Sequence, residues 1–278
     1  MLCERIKLSD EFGFLAPSET GGELNVYARI PGEGVRTSRR SAVIVLHGGG
    51  YFMRSMAEYE GVALRFLAEG YQAFTLDYSL LPAQHPQQLR EIMAAVAYIR
   101  RNAAKYGIDP HRIALCGFSA GSHLAAMLAA KWNDEGVLEG TGLCPNDVRP
   151  DAVILSYPPT VYNDPDDCLE MFQNLVGGSR DDSVLKEISP IHCATAENPP
   201  TFIWHTFTDE MVDVRHSLYY AARLKELGVS LEMHVFPEGP HAMGLCDEET
   251  AFTPQHLNSH AAQWFPLALR WLKKTLGR

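Results

Sequence analysis

Two rhythms of apolar residues take turns along the chain. ELNVYARI (23–30) alternates apolar and polar positions, the period of a half-buried strand, and the PGEG after it reads as a turn. SAVIVL (41–46) is apolar and mostly β-branched, as expected of a strand covered on both faces. EYEGVALRFLAEG (58–70) switches to helical spacing and ends on a glycine. YQAFTLDYSL (71–80) returns to strand, and QQLREIMAAVAYIRRNAAKYG (87–107) predicts a long amphipathic helix with Gly107 as its stop. RIALCGFS (112–119) then predicts a strand, AGSHLAAMLAAKW (120–132) a helix and DAVILSYPP (151–159) a strand. Further on, PPTFIWHTF (199–207) and LEMHVFPEG (231–239) predict strands around the helix VRHSLYYAARLKELG (214–228). PQHLNSHAAQWFPLALRWLKKTL (254–276) predicts a closing helix with a proline inside it.

Strands separated by helices of this length need right-handed crossovers, which predicts a mainly parallel sheet in a single domain spanning 1–278. The stretch 161–198 breaks the rhythm. It contains DPDD, GG and SRDD, and is expected to be an insertion or cap over one edge of the sheet. In open α/β sheets chemistry gathers at the carboxyl ends of strands, where every motif below falls.

Composition narrows the partners. Of 278 residues, 46% are apolar and 21% charged, the balance of a folded, soluble chain. A net charge of -10 disfavours nucleic acid and anionic membranes, and the lysines and arginines are scattered except for short pairs such as Arg39–Arg40 and Lys273–Lys274. MLCERIKLSDEFGFL lacks a signal peptide's apolar region and no stretch reaches the length of a membrane span, so a cytoplasmic protein is expected. Cys3, Cys116, Cys144, Cys168, Cys193 and Cys246 form no ligand pattern, which predicts reduced thiols and neither a metal nor a cofactor. The last helix, with Trp264, Phe265, Leu267, Leu269, Trp271 and Leu272, is more apolar than a solvent-facing helix needs; most of that is expected to pack in the core, with a homodimer contact as the alternative.

Candidate chemistry begins with LHGGGYFMRS (46–55), three glycines directly behind a buried strand. It lacks the Gly-Lys-Ser/Thr end of a phosphate loop, and Met53 stands where a dinucleotide fingerprint would have its third glycine. Gly117 to Gly121 spell GFSAG between a buried strand and an alanine-rich helix. Glycines two before and two after Ser119 allow a sharp turn that lifts its hydroxyl above the sheet.

A serine hydroxyl needs a base, and the base an orienting acid, each on a later strand-end loop. TDEMV offers Asp209, with Glu210 and Asp213 close behind; PEGPHAMGL offers His241 in a loop made by Gly239 and Pro240. His123, His216, His234, His256 and His260 lie within predicted helices or strands and read as packing or surface histidines, while His205 precedes the acid. Cys116 reads as a buried small residue. The glycine loop then suits an oxyanion hole, with the N–H groups of Gly49, Gly50 and Ala120 as donors worth about 3 kcal/mol each. His47 is expected to brace that loop without moving a proton. Tyr51, Tyr157, Pro158 and Pro159 are expected to line the substrate pocket, with Phe52 open between pocket and core, which predicts a small acyl group.

The HGGGY loop, GFSAGSHLAA turn, TDEMV loop and HVFPEGPHAMGL loop, from about Ser41 to Leu245, resemble an α/β-hydrolase of the carboxylesterase type. The short N-terminus and the HVFPEG ending look more like the bacterial acetyl-xylan-esterase-like or sugar-ester hydrolases than like hormone-sensitive-lipase-like esterases. Where those carry DYRLAPE and an acidic residue before the serine, this chain has DYSLLPA and Phe118. Ala242 also stands where a glycine usually follows the histidine. The resemblance implies a mainly parallel sheet with helices on both faces and a short insertion after the sixth strand. It also implies Ser119, Asp209 and His241 as a catalytic triad and a small-molecule ester as substrate. A histidine base implies activity that falls below about pH 6. A peptidase or aryl-formamide hydrolase on the same scaffold, and a binding protein without catalysis, remain alternatives at this point.

Overall fold

Alternation along each central strand sets the layering. In the computed structural model, which describes residues 1–30, 39–163 and 168–277, Val43 and Val45 face one side of the sheet. Ile44 and Leu46, their neighbours in sequence, face the other. Both sides are covered, so the strand is buried along nearly its whole length. The PGEG turn and the DPDD part of 161–198 lie outside the described residues.

Eight strands form one sheet: β1 (Leu2–Lys7), β2 (Glu23–Ala28), β3 (Arg40–Leu46), β4 (Gln72–Asp77), β5 (Ile108–Phe118), β6 (Ala152–Ser156), β7 (Thr201–Thr206) and β8 (Leu231–Phe236). Their order is β1-β2-β4-β3-β5-β6-β7-β8. β1 and β2 run antiparallel to each other, as do β2 and β4, and every pairing from β4 to β8 is parallel. Helices α1 (Glu60–Ala68), α2 (Gln87–Arg101), α3 (Ala120–Lys131), α4 (Arg215–Glu226) and α5 (Trp264–Thr275) follow β3, β4, β5, β7 and β8. Side chains of α2, α3 and α4 pack on one face, those of α1 and α5 on the other.

Two departures from the sequence reading have simple causes. β1 is an edge strand whose side chains are half-buried on one face and exposed on the other, so its apolar signal is thin. The closing helix begins only at Trp264, which places Pro266 in the first turn, where its missing N–H has no intrahelical partner to lose. Most apolar side chains of α5, Trp264, Phe265, Leu269, Trp271 and Leu272 among them, are spent on the core. Within 161–198 the described residues form short helices at Leu169–Leu175, Asp182–Glu187 and Pro190–Cys193, pinned to the main core by Phe172, Leu175, Leu185 and Ile188. No helix among the described residues is long and apolar enough to cross a membrane. None of their His, Cys, Asp and Glu side chains gather in threes that could hold a metal ion. None of the six cysteines, all within the described residues, forms a disulfide.

Candidate active site

The parallel strands all point their carboxyl ends at one edge of the domain, and five of them end in loops that meet there. β5 runs into α3 with a single residue, Ser119, between them. That junction forces φ 50° and ψ −119° on the serine, a left-handed backbone that L side chains rarely adopt. The flanking glycines explain how the chain turns so sharply. A Cβ on Gly117 would collide with the carbonyl of Gly121, and one on Gly121 with the carbonyls of Leu46 and His47. Helix α3 therefore presses its backbone directly onto the end of β3.

Ser119 Oγ lies 2.8 Å from His241 Nε2, and His241 Nδ1 lies 2.7 Å from Asp209 Oδ2. Asp209 follows β7 and His241 follows β8, and the two loops are sewn together. Thr206 and Thr208 donate their hydroxyls to Gly239 O, and Gly239 N–H donates back to Thr208. Asp209 Oδ1 accepts the N–H groups of Met211 and Val212, both at 3.0 Å. Glu210 and Asp213 are not used here: Glu210 lines the cleft and Asp213 pairs with Arg215.

Sequence reasoning missed a second histidine on this acid. His205, buried at the end of β7, has Nε2 3.3 Å from Asp209 Oδ2 and 2.9 Å from Val212 O, while its Nδ1 is 2.8 Å from Ser217 Oγ. Its spacing of four from Asp209 was the available signal. Burial alone would raise the Asp209 carboxyl, but the hydrogen bonds and charges of His205 and His241 outweigh it and hold the group well below the usual carboxylate range.

The glycine loop closes over the same spot. Gly49 (φ 114°) and Gly50 (φ 59°) take left-handed backbones, and Gly49 O accepts the N–H groups of Phe52 and Met53. Among the described residues the N–H groups of Gly49 and Gly50 have no acceptor, and both glycines border the cleft with Ser119. Ala120, as the first residue of α3, has no intrahelical acceptor for its N–H. His47 stacks on Tyr78 with ring centroids 4.3 Å apart, and its Nδ1 is 2.7 Å from Gly48 O. Burial pushes the His47 imidazole down to about 4. Cys116 is buried, and burial pushes its thiol up.

The pocket expectations need correcting. Tyr51 is buried beneath the loop, with its hydroxyl on His123 Nδ1 at 2.7 Å. Tyr157 is fully buried, its hydroxyl turned to Glu58 Oε1 at 2.6 Å, and Pro158 does not reach the cleft. Both tyrosines have positive φ (67° and 41°), and their buried hydroxyls go to polar partners within the fold. Of the residues expected there, Pro159 and Phe52 do border the cleft, Phe52 being 61% exposed. The cleft holds about 670 Å³, and Met53, Met171, Met211 and Phe252 complete its apolar rim.

Known proteins agree with this architecture. The family described as BD-FAE matches residues 31–224. Endo-1,4-beta-xylanase B of Butyrivibrio fibrisolvens is 34% identical over 81% of this chain and 35% of its own length. The chain spans between 35% and 56% of the first curated relatives it matches. Among solved structures, the acetyl ester-xyloside bifunctional hydrolase from Caldicellulosiruptor lactoaceticus is 30% identical (TM-score 0.78, covering 91% of this chain and 87% of that one). The carboxylesterase Cest-2923 from Lactobacillus plantarum WCFS1 is 26% identical (TM-score 0.83, covering 99% and 98%). With two-thirds of its length matched and these folds superimposing on its own, the chain belongs to the BD-FAE family and has the α/β-hydrolase fold.

Proposed function

We propose that this chain is a serine esterase that hydrolyses short-chain carboxylic esters, with an acetylated sugar or small alcohol as the natural substrate. The observation that carries the reading is the unbroken contact from Ser119 Oγ through the His241 ring to Asp209, at 2.8 and 2.7 Å, beside backbone N–H groups of Gly49 and Gly50 that have no acceptor among the described residues.

The chemistry follows from those positions. Ser119 Oγ–H donates to His241 Nε2, and the imidazole takes this proton as the oxygen attacks the ester carbonyl. His241 Nδ1–H donates to Asp209, which holds the ring in the tautomer that leaves Nε2 free to accept. The carbonyl oxygen becomes an oxyanion facing Gly49, Gly50 and Ala120. His241 then returns its proton to the departing alcohol, leaving an acyl group on Ser119, and water removes that group by the same steps in reverse. Ordering His241 before the substrate arrives is the work of Asp209, Met211, Val212 and the threonines that sew the two loops together.

The acetyl preference rests on relatives whose names include acetylxylan esterase, from Xylanibacter ruminicola, and on the acetyl ester-xyloside hydrolase fold. The apolar rim of Phe52, Met211 and Phe252 suits the less polar face of the alcohol part. Acetate release from acetylated sugars and simple acetates tests the reading. Replacing Ser119 by alanine is expected to cut kcat by about four to six orders of magnitude. A variant that keeps a tenth of wild-type activity sinks the assignment, and a long-chain nitrophenyl ester turned over faster than the acetate sinks the substrate class.

A further inference from the structure

Glu58 is a buried carboxyl group beside the reacting atoms that the steps above do not use. It closes a short 3₁₀ turn (Met56–Glu58) after the glycine loop and has no solvent exposure. Its Oε2 accepts the Gly48 N–H at 3.1 Å and its Oε1 accepts the Tyr157 hydroxyl at 2.6 Å. The Tyr157 oxygen accepts in turn from Gly244 N–H at 3.2 Å, and the Tyr157 ring meets the His241 ring edge-on with centroids 4.9 Å apart. One carboxyl group thus ties the glycine loop, the loop after β6 and the histidine loop together.

Gly48 is held from both ends. Its N–H goes to Glu58, and its carbonyl accepts the Ser55 N–H at 3.2 Å, while the Ser55 carbonyl accepts the Glu58 N–H at 3.2 Å. A Cβ on Gly48 would collide with Glu58 Oε2 and crowd Ser119 Cβ, so the carboxyl sits against the bare backbone just below the serine. With Gly48 immobilised, the next two peptide units have their orientation set, and these carry the free N–H groups of Gly49 and Gly50.

We propose that Glu58 is the positioning residue of the oxyanion loop: by clamping the Gly48 N–H against the Tyr157 hydroxyl, it aims Gly49 and Gly50 at the oxyanion above Ser119. Glu58 borders the floor of the cleft, but its two oxygens are taken by Gly48 and Tyr157, so the clamp acts on the transition state and leaves the apolar rim of Phe52, Met211 and Phe252 in place. Its loss should therefore appear in kcat and spare KM. The proposal rests on the esterase reading of Ser119.

The test measures kcat, KM and the affinity of a trifluoromethyl ketone, which adds to the serine hydroxyl and places an oxyanion in the same position. Glu58→Ala is expected to lower kcat by about 100-fold, the worth of one misplaced donor, with KM within about threefold. Ketone affinity should fall by the same factor as kcat/KM. A merely structural role would lower the melting temperature and the active fraction while the folded enzyme kept its ketone affinity, and that result overturns the proposal. So does a Glu58→Ala enzyme within threefold of wild type. Glu58→Gln keeps an acceptor for Gly48 and should recover at least tenfold over alanine; no recovery overturns the clamp. If the alanine variant does not fold, Tyr157→Phe decides. About a tenfold loss in both kcat and ketone affinity is expected, and wild-type values for both refute the clamp. A wild-type chain that hydrolyses no ester and binds the ketone no better than Ser119→Ala would instead sink the esterase reading, and this proposal with it.

Discussion

Asp209 and Glu58 are both carboxyl groups sealed in the domain, both within reach of His241, and they are driven in opposite directions. Burial is the largest influence on each and by itself favours the neutral form. Asp209 has four N–H groups around it, from Met211, Val212, His241 and His205, and two of them belong to rings that can carry positive charge. It is held well below the usual carboxylate range. Glu58 has one backbone N–H and the neutral hydroxyls of Tyr157 and Ser55, and burial keeps it above its ordinary value despite them and the charge of His241. The difference teaches that depth alone does not decide what a buried acid is for. The number and charge of its donors do, and in the roles proposed above they separate an acid that steadies a charge from one that holds a loop.

The contrast is broken or sharpened first at the two acids themselves. Asp209→Asn presents an amide to His241 and favours the wrong tautomer, so kcat should fall by about four orders of magnitude. Glu58→Gln should stay within about tenfold of wild type. Equal losses in steady-state assays of the two variants would erase the distinction.

Stability against pH gives a smaller but more direct signal. The Asp209 group, lowered in the fold, adds stability that is complete above its unfolded value of about 3.9 and is lost as pH falls toward its folded value. The penalty of Asp209→Asn should therefore shrink between pH 5 and pH 3. Glu58, raised in the fold, costs stability as pH climbs above its unfolded value of about 4.3. Melting temperatures of Glu58→Gln should gain on wild type as pH rises from 4 to 7. Parallel pH trends for the two variants would contradict the opposite assignment.

The smallest effect concerns the loop that holds His241 near both acids. Ala242 has φ 61°, a left-handed backbone that strains a residue with a Cβ. Ala242→Gly should relieve it and stabilise the fold by about 0.5–1 kcal/mol, raising Tm by about 1–3 °C in a calorimeter. A lower Tm would mean that the alanine methyl contributes more to packing than its backbone costs.

The sheet and the converging loops were legible because each strand's apolar run ends at a short motif, and the order of those motifs follows the order of the strands. Ser119, Asp209 and His241 could be named in that way before any distance was known. Glu58 could not, since nothing local in EYE separates it from Glu60; only the turn of the 3₁₀ segment sends it inward. His205 precedes the acid, and a rule about chain order ignores what lies one loop away in space. Tyr51 and Tyr157 misled because an aromatic beside a motif suggests a pocket wall. Their positive φ angles direct them into the interior, and no propensity rule foresees that.

The seam where Gly121 meets the carbonyls of Leu46 and His47 has no side chain to cushion it, so neither half can drift without carrying the other along. Phe52, Met211 and Phe252 hang from separate loops in the open, and exchanging them disturbs no core. An engineer, or natural drift, can therefore re-cut the apolar rim of this molecule freely while the seam beneath Ser119 is inherited whole.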